Sequence, residues 1–296
     1  MVDGSPPNAF ARHHELLAPF ARHSGVDRRF GNRNDKVNGI HTGIEHTSGE
    51  KIILADDDVR YRPNELMEIA ELLDRFEVVR PQNYLAPRPW WAWLEAARML
   101  INRACLRTGD YPGTCAFRRS TFRRVGAYDG DVLFDNEEMI RHLARAGAGI
   151  RYAIDFFVQK HPPSFRKWLE QRPRQAYEDF PLRAKTAFFL SLAPSILTLT
   201  LIGATRSTLA LLLSLGAGAI ALALRGRQRG RAAQYFPIGL CFLAPLWVLE
   251  RSLSSWWALY WFIRHGGYPF GDQILTKGVG RDWFAGGRIA AQQFRG

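Results

Sequence analysis

Cysteine is scarce in this 296-residue chain. Its three residues, Cys105, Cys115 and Cys241, are odd in number and include no CxxC pair. That pattern excludes a disulfide framework or a zinc site as the organiser of the fold, and it fits a reducing compartment. Acidic residues are also short: 28 Asp and Glu stand against 40 Lys and Arg, for a formal charge of +12 and a pI of about 10.0. Such a balance points to an anionic partner: nucleic acid, a phosphorylated substrate or an anionic membrane face. No nucleic-acid-binding motif accompanies the charge, so nucleic acid is not expected. The start, MVDGSPPNAFARHHE, lacks the apolar stretch of a signal peptide. With 47% hydrophobic and 23% charged residues, long disorder is not expected either.

The chain changes character near residue 185. The segments 186–203 (TAFFLSLAPSILTLTLIG) and 207–224 (STLALLLSLGAGAIALAL) carry no charge and are near the length needed to cross a hydrocarbon core. Only ATR separates them, as in a tight helical hairpin, and Pro194 is a kink that membrane helices tolerate. The basic run RGRQRGR (225–231) follows and prefers the cytoplasmic side. A further segment at about 235–263, interrupted by Glu250-Arg251 and rich in Trp and Tyr, suits a third short span or re-entrant segment with an interfacial helix. A buried helical pair in a soluble protein is the alternative. These boundaries predict a cytoplasmic domain over 1–184, membrane or interfacial helices over 185–265, and a basic cytoplasmic tail over 266–296. Ala-, Arg- and Gly-rich usage suggests a bacterial source, with a multi-pass protein of the plasma membrane.

Before residue 185, alternating strand and helix patterns predict an α/β domain with a largely parallel sheet. KIILADDD (51–58) has the pattern of a buried central strand meeting the active edge of such a sheet. Helical spacing of Leu66, Ile69, Ala70 and Leu73 follows, with Pro63 in the first turn. Further strands are expected in FEVVRP, GTCAF and IRYAIDFFVQKH, and a helix in NEEMIRHLARAGAG.

The three successive aspartates need an explanation, because adjacent carboxylates repel. In an extended segment Asp56 and Asp58 project together and Asp57 points away. Two converging carboxylates are reconciled by a hard cation, Mg²⁺ or Mn²⁺, shared with substrate phosphates. An acidic turn at the start of the next helix, favoured by the helix dipole, accounts for them as well.

The order of motifs resembles the family 2 glycosyltransferases of GT-A fold, a Rossmann-like nucleotide-diphospho-sugar transferase fold. Similarity is greatest to the membrane-attached branch of ceramide glucosyltransferase-like and polysaccharide synthase-like enzymes. VDGS (2–5), NDKVNGIHTGIEHTSGEKIILADDD (34–58), GTCAFRRSTFRRVGAYDGD (113–131), DNEEMIRHLARAG (135–147) and QRPRQAY (171–177) carry the resemblance, over roughly residues 1–205. It implies transfer of a sugar from a UDP- or GDP-sugar donor, with inversion, to a lipid or lipid-linked glycan acceptor. It further implies Asp56 and Asp58 as metal ligands for Mg²⁺ or Mn²⁺, with Asp3, Lys36 and Asp57 on the donor. Gln171 and Arg174 are implied on the acceptor and diphosphate side.

Three departures qualify the expectation. Met1 falls where the family's second strand is already under way, so the first strand and helix are expected to be missing from the domain. The usual base position holds Asn136, leaving Asp135 as base candidate; Asn136 as an ordinary helix N-cap is the alternative reading. Gln175 replaces the family tryptophan, which argues for addition of a single sugar and against polymer export. A catalytically silent binding or scaffold protein remains the alternative function. Trp90, Trp91 and Trp93 suit either the acceptor side or the bilayer, and His161 is a lone candidate ligand in a loop.

Overall fold

The computed structural model describes residues 1–271 and 273–278. In chain order, β1 (Val2–Asp3) leads into α1 (Pro7–Leu17), and β2 (Ser24–Gly25) returns to pair with β1 in parallel. Next comes α2 (Asp35–His46), capped by the Asn34 side chain accepting from the Lys36 N–H. β3 (Lys51–Ala55), β4 (Val59–Arg60), α3 (Pro63–Arg75) and β5 (Val78–Leu85) follow. Then α4 (Trp90–Cys105), β6 (Thr114–Arg118), α5 (Arg119–Val125), α6 (Asp135–Arg145), β7 (Ile150–Lys160) and α7 (Phe165–Tyr177) complete the first part. The remainder is α8 (Arg183–Leu201), α9 (Thr205–Gln228), α10 (Ala232–Tyr235), α11 (Ala244–His265), and a hairpin of β8 (Tyr268–Phe270) and β9 (Gln273–Leu275).

The main sheet has five strands in the order β3-β6-β5-β7-β4, and it is mixed. Only β5 and β7 pair in parallel; β3 with β6, β6 with β5, and β7 with β4 are antiparallel. The expected largely parallel sheet is therefore corrected. β3, β5 and β7 do run the same way, but β6 is inserted between β3 and β5 in the opposite direction. The strand KIILA is also an edge strand rather than a central one, and Ile52, Ile53 and Leu54 are half-buried. β1 and β2 form their own small sheet, not hydrogen-bonded to the larger one.

Alternation along the strands divides the core between two faces. Val78 and Phe117 pack with Val37 and Met139, so α2 and α6 cover one face. Their neighbours Val79 and Ala116 pack with Ile69 and Leu73, so α3 covers the other. Each fully buried Leu or Ile there contributes about 1.5–3 kcal/mol.

The helices α8 and α9 are the two among the described residues long and apolar enough to cross a membrane, and only 11% of each apolar window is buried. Leu197, Leu201, Leu209 and Leu213 on these two helices are exposed, whereas a soluble core helix would be mostly covered. The third expected span does not appear as one. Arg251 of α11 is buried and donates to Asp179 and to the Gln175 carbonyl, so the charges interrupting the apolar pattern fasten α11 to the first part of the chain. At the far end of α9, Arg229 donates to the carbonyls of Leu106 (2.5 Å) and Arg107 (3.0 Å), just beyond α4. Gly226 lies so close to the Leu100 carbonyl that no Cβ would fit.

The first residues of the stretch expected as a basic tail are hydrogen-bonded to the domain. The backbone N–H groups of Leu133 and Phe134 donate to the carbonyls of Lys277 and Gly278, both at 3.1 Å, and Tyr177 Oη donates to Thr276 O at 2.9 Å. Of the basic tail residues, Lys277 pairs with Asp129 at 2.5 Å, while Arg281, Arg288 and Arg295 lie outside the described residues.

Candidate active site

The shared direction of β3, β5 and β7 brings their carboxyl ends to one side, and the charged residues gather there. Asp56 follows β3, held by its N–H to the Gly113 carbonyl at 3.1 Å, and the Val59 N–H closes a turn on the Asp56 carbonyl. That turn leaves Asp57 exposed while Asp56 and Asp58 are half-buried, the alternation the sequence suggests. Lys160 ends β7, and its Nζ is 3.3 Å from Asp56 Oδ2 and 3.3 Å from Asp58 Oδ1. Lys36, in the first turn of α2, reaches Asp56 Oδ1 at 2.9 Å and Asp135 Oδ2 at 3.1 Å. Asp135 is the first residue of α6 and nearly buried, where the helix dipole favours its charge. Carboxylates and ammoniums thus alternate through Asp135, Lys36, Asp56, Lys160 and Asp58.

The environment separates the two expected metal ligands. Burial pushes the Asp56 carboxyl up, but the Lys36 and Lys160 ammoniums outweigh it and hold Asp56 below the ordinary carboxylate range. Burial pushes Asp58 up; Lys160 opposes this, and the Asp56 charge adds to it, so Asp58 ends above that range. For both lysines burial works against the charge and the carboxylates overcome it, so both hold their protons more firmly than an exposed lysine.

The five residues border a single cleft of about 1080 Å³, together with Asp57, Asn136, Gln171 and Arg174. Arg174 donates to the Leu133 carbonyl at 2.6 Å and stacks its guanidinium over Phe270 at 4.6 Å; burial pulls its pKa down. Gln171 lies one turn earlier on α7. Asn136 is the second residue of α6 and not its cap, because Phe134 holds the capping position. Asp3 departs from its expected role in one respect. Val2 and Gly4 border the cleft, but the Asp3 carboxylate accepts from the Ser5 N–H and faces His13 Nδ1 at 2.8 Å and His23 Nε2 at 3.2 Å. Those hydrogen bonds, from Ser5 and His13 first, hold its pKa far down. His161 contributes its backbone N–H to the Asp58 carbonyl at 2.8 Å. Trp91 borders the cleft, whereas Trp90 and Trp93 are exposed.

Sequence reasoning missed Lys160, Gly113 and Phe270. Lys160 had a usable signal, an ammonium at the end of the long strand IRYAIDFFVQK. Gly113 is required by space: a Cβ there would stand 2.5 Å from Asp56 Oδ2 and 3.1 Å from Lys160 Nζ. Phe270 arrives by the fold-back of the last hairpin, which local pattern does not announce.

Asp56 and Asp58 meet a first test for a hard divalent ion, since one cation, the Lys160 ammonium, already reaches an oxygen of each. Among the described residues no group of three or more His, Cys, Asp or Glu is placed to cage a metal. Two carboxylates are a donor set that Mg²⁺ or Mn²⁺ would accept only with further ligands from outside the protein.

No protein-family model matches the chain, and no curated protein matches it in sequence. Among solved structures it is similar to a mannosyltransferase from Pyrobaculum calidifontis in complex with GDP-Man and Mn²⁺. The identity is 20%, the TM-score 0.46, and the likeness covers 86% of this chain and 76% of that one.

Proposed function

We propose that the chain is a membrane-anchored inverting glycosyltransferase. It would take a sugar from a nucleotide-diphosphate donor, UDP- or GDP-linked, and add it to a lipid-linked or membrane-near acceptor. The observation that carries this reading is the alternation of Asp135, Lys36, Asp56, Lys160 and Asp58 in one cleft. A leaving diphosphate gains negative charge as the glycosidic bond breaks, and fixed ammoniums at that place stabilise it. Lys36 and Lys160 supply them, with the Arg174 guanidinium beside Asp135.

The acceptor hydroxyl attacks the anomeric carbon from the face opposite the diphosphate. Its proton passes to the Asp135 carboxylate, and the electrons of the broken bond leave on the diphosphate oxygen. In the free protein Lys36 is shared between Asp56 and Asp135. Drawing Lys36 towards a bound diphosphate frees Asp135 Oδ2 for that proton, which couples donor binding to activation of the base. Asp56 and Asp58 would hold a divalent ion, which when bound supplies further charge stabilisation of the diphosphate.

Anchoring is assigned to α8 and α9. A cytoplasmic active site is supported by the preference of the basic run 225–231 for the cytoplasmic face, together with the hydrogen bonds of its Arg229 to the carbonyls just beyond α4. The test is calorimetry of the purified chain in lipid nanodiscs with UDP-, GDP- and dTDP-sugars, with and without Mn²⁺. One nucleotide class should bind in a metal-dependent way, and Asp58→Asn should abolish that dependence. Asp135→Asn should keep donor binding and lower transfer by about 10²–10⁴-fold. No donor binding in any condition, or unchanged metal dependence in Asp58→Asn, rejects the proposal.

A further inference from the structure

Asp135 opens α6, yet the sequence gives that helix start no cap of its own. Phe134 holds the capping position, and its side chain has no oxygen to accept from the first turn. The two residues before Asp135 are tied from outside instead. The Leu133 N–H donates to the Lys277 carbonyl and the Phe134 N–H to the Gly278 carbonyl, both at 3.1 Å, and Val132 is bridged in parallel to Lys277. Residues 276–278 thus lie alongside residues 132–134 as a short strand.

That pairing rests on a small apolar core. Leu133 and Leu275 are fully buried and pack with Ala176, Tyr177, Ala258 and Tyr268, which joins the start of α6, the last turn of α7, the second half of α11 and the β8–β9 hairpin. Each of the two leucines contributes about 1.5–3 kcal/mol there. Polar contacts fix the segment along its length. Tyr177 Oη donates to Thr276 O at 2.9 Å, Tyr268 Oη donates to Glu170 O at 3.2 Å, and Lys277 faces Asp129. Arg174 joins the same assembly: it donates to the Leu133 carbonyl at 2.6 Å, with its guanidinium over Phe134 at 5.3 Å and Phe270 at 4.6 Å.

Asp135 is the next residue after Phe134, so its place in the cleft depends on the bond from Phe134 to Gly278. A shift of about 1 Å in a reacting group costs up to about 10²-fold in rate. The hairpin therefore bears on the chemistry without reaching the donor through its pairing residues. Neither Tyr177 nor Leu275 borders the cleft.

We propose that the β8–β9 hairpin and residues 276–278 form a clamp that aims the base. They hold residues 133–134 so that the Asp135 carboxylate meets the acceptor hydroxyl, and Tyr177 and Leu275 are the positioning residues. The inference rests on the transferase reading and deepens it, because it adds the element that places the proton acceptor.

The test uses the full chain in lipid nanodiscs with Mn²⁺ and UDP-, GDP- and dTDP-linked hexoses, and reads release of nucleoside diphosphate. Water stands in for the acceptor: its oxygen attacks the anomeric carbon, its proton passes to Asp135, and the electrons of the broken bond leave on the diphosphate. Leu275→Ala should lower turnover by roughly 10–10²-fold and leave donor affinity within about twofold of the parent, the pattern of an interaction needed in the transition state. Tyr177→Phe should lower turnover by up to about tenfold, the worth of one net hydrogen bond. Leu275→Met keeps the volume and should restore the parent rate. Hydrogen exchange followed by mass spectrometry should quicken at residues 132–135 in the alanine and phenylalanine variants and not in the methionine one. Tyr177→Phe removes a single oxygen, so it keeps the test sound if Leu275→Ala fails to fold. Three results overturn the clamp: parent turnover in both Leu275→Ala and Tyr177→Phe, a fall in turnover with exchange at 132–135 unchanged, or a fall matched by an equal loss of donor affinity. A parent chain that turns over none of the donors rejects the transferase reading and the clamp with it. A parent that turns one over, with variants that do likewise, rejects the clamp alone.

Discussion

Lys36 Nζ lies 2.9 Å from Asp56 Oδ1 and 3.1 Å from Asp135 Oδ2, so one ammonium joins the end of a sheet strand to the start of a distant helix. It thereby links the group that faces a diphosphate to the group that takes a proton. Lys36→Met should lower sugar transfer by about 10²–10³-fold, the usual cost of one electrostatic stabiliser in an active site. Because Asp135 opposite it is only 6% exposed, stability should fall as well, while the 43% exposure of Lys36 keeps the fold itself intact. Steady-state kinetics beside a thermal unfolding curve check both halves of the prediction.

Gly113 tests the position of Asp56 without touching any charge. A methyl group there would push against Asp56 Oδ2 and Lys160 Nζ together. Gly113→Ala should weaken metal-dependent donor binding by tenfold or more, on the order of the loss from a misplaced active-site group. Far-ultraviolet circular dichroism should be unchanged. Full donor affinity in Gly113→Ala would mean that Asp56 is not needed where the structure puts it.

Glu178 also borders the cleft, and burial first, with Asp179 adding, pushes its carboxyl up to about 7. The folded chain therefore keeps a proton that the unfolded chain releases near the ordinary glutamate value of about 4.3. Stability should fall as pH rises between those two values and then level off, by up to about 3 kcal/mol. Glu178→Gln should flatten that part of the profile. Melting temperatures of the two proteins across pH 4 to 8 give the comparison, in about half-unit steps.

Asp179 takes two cations at once, Arg251 at 2.7 Å and Lys185 at 2.8 Å, and all but Lys185 are buried. Burial would raise its carboxyl, but Arg251 and then Lys185 outweigh it and hold it low. Its stabilisation is present above the ordinary aspartate value and is lost as pH falls through the lowered one. Asp179→Asn leaves the Arg251 charge buried without its counterion and should cost about 3–5 kcal/mol at neutral pH. The double variant with Arg251→Met should recover part of that loss in a double-mutant cycle.

Local pattern carried much of this protein. The stretch Pro63–Arg75 declares its helix through apolar spacing and a proline at the first position, and the structure agrees. Asp56 and Asp58 turn the same way, and α8 and α9 match the two uncharged runs within a few residues. Such features depend on neighbours within one or two turns, and composition records them. The motif order also placed Lys36 and Asp135 near the aspartates, although it could not say that Lys36 bridges them.

Tertiary structure decided whatever depends on contacts between distant segments. β6 enters between β3 and β5 against their direction, which made the sheet mixed and put KIILA at its edge. Lys160 meets the aspartates only because β7 ends beside the turn that carries them. The charges of Glu250-Arg251 look like an interruption of a span until Asp179 is seen opposite. The last hairpin folds back to set Phe270 against Arg174, a contact that the basic composition of this stretch does not announce. Hydrophobic period and residue type fix which local element forms. Which elements meet is fixed by packing and by the pairing of buried charges, and a linear pattern holds no record of either.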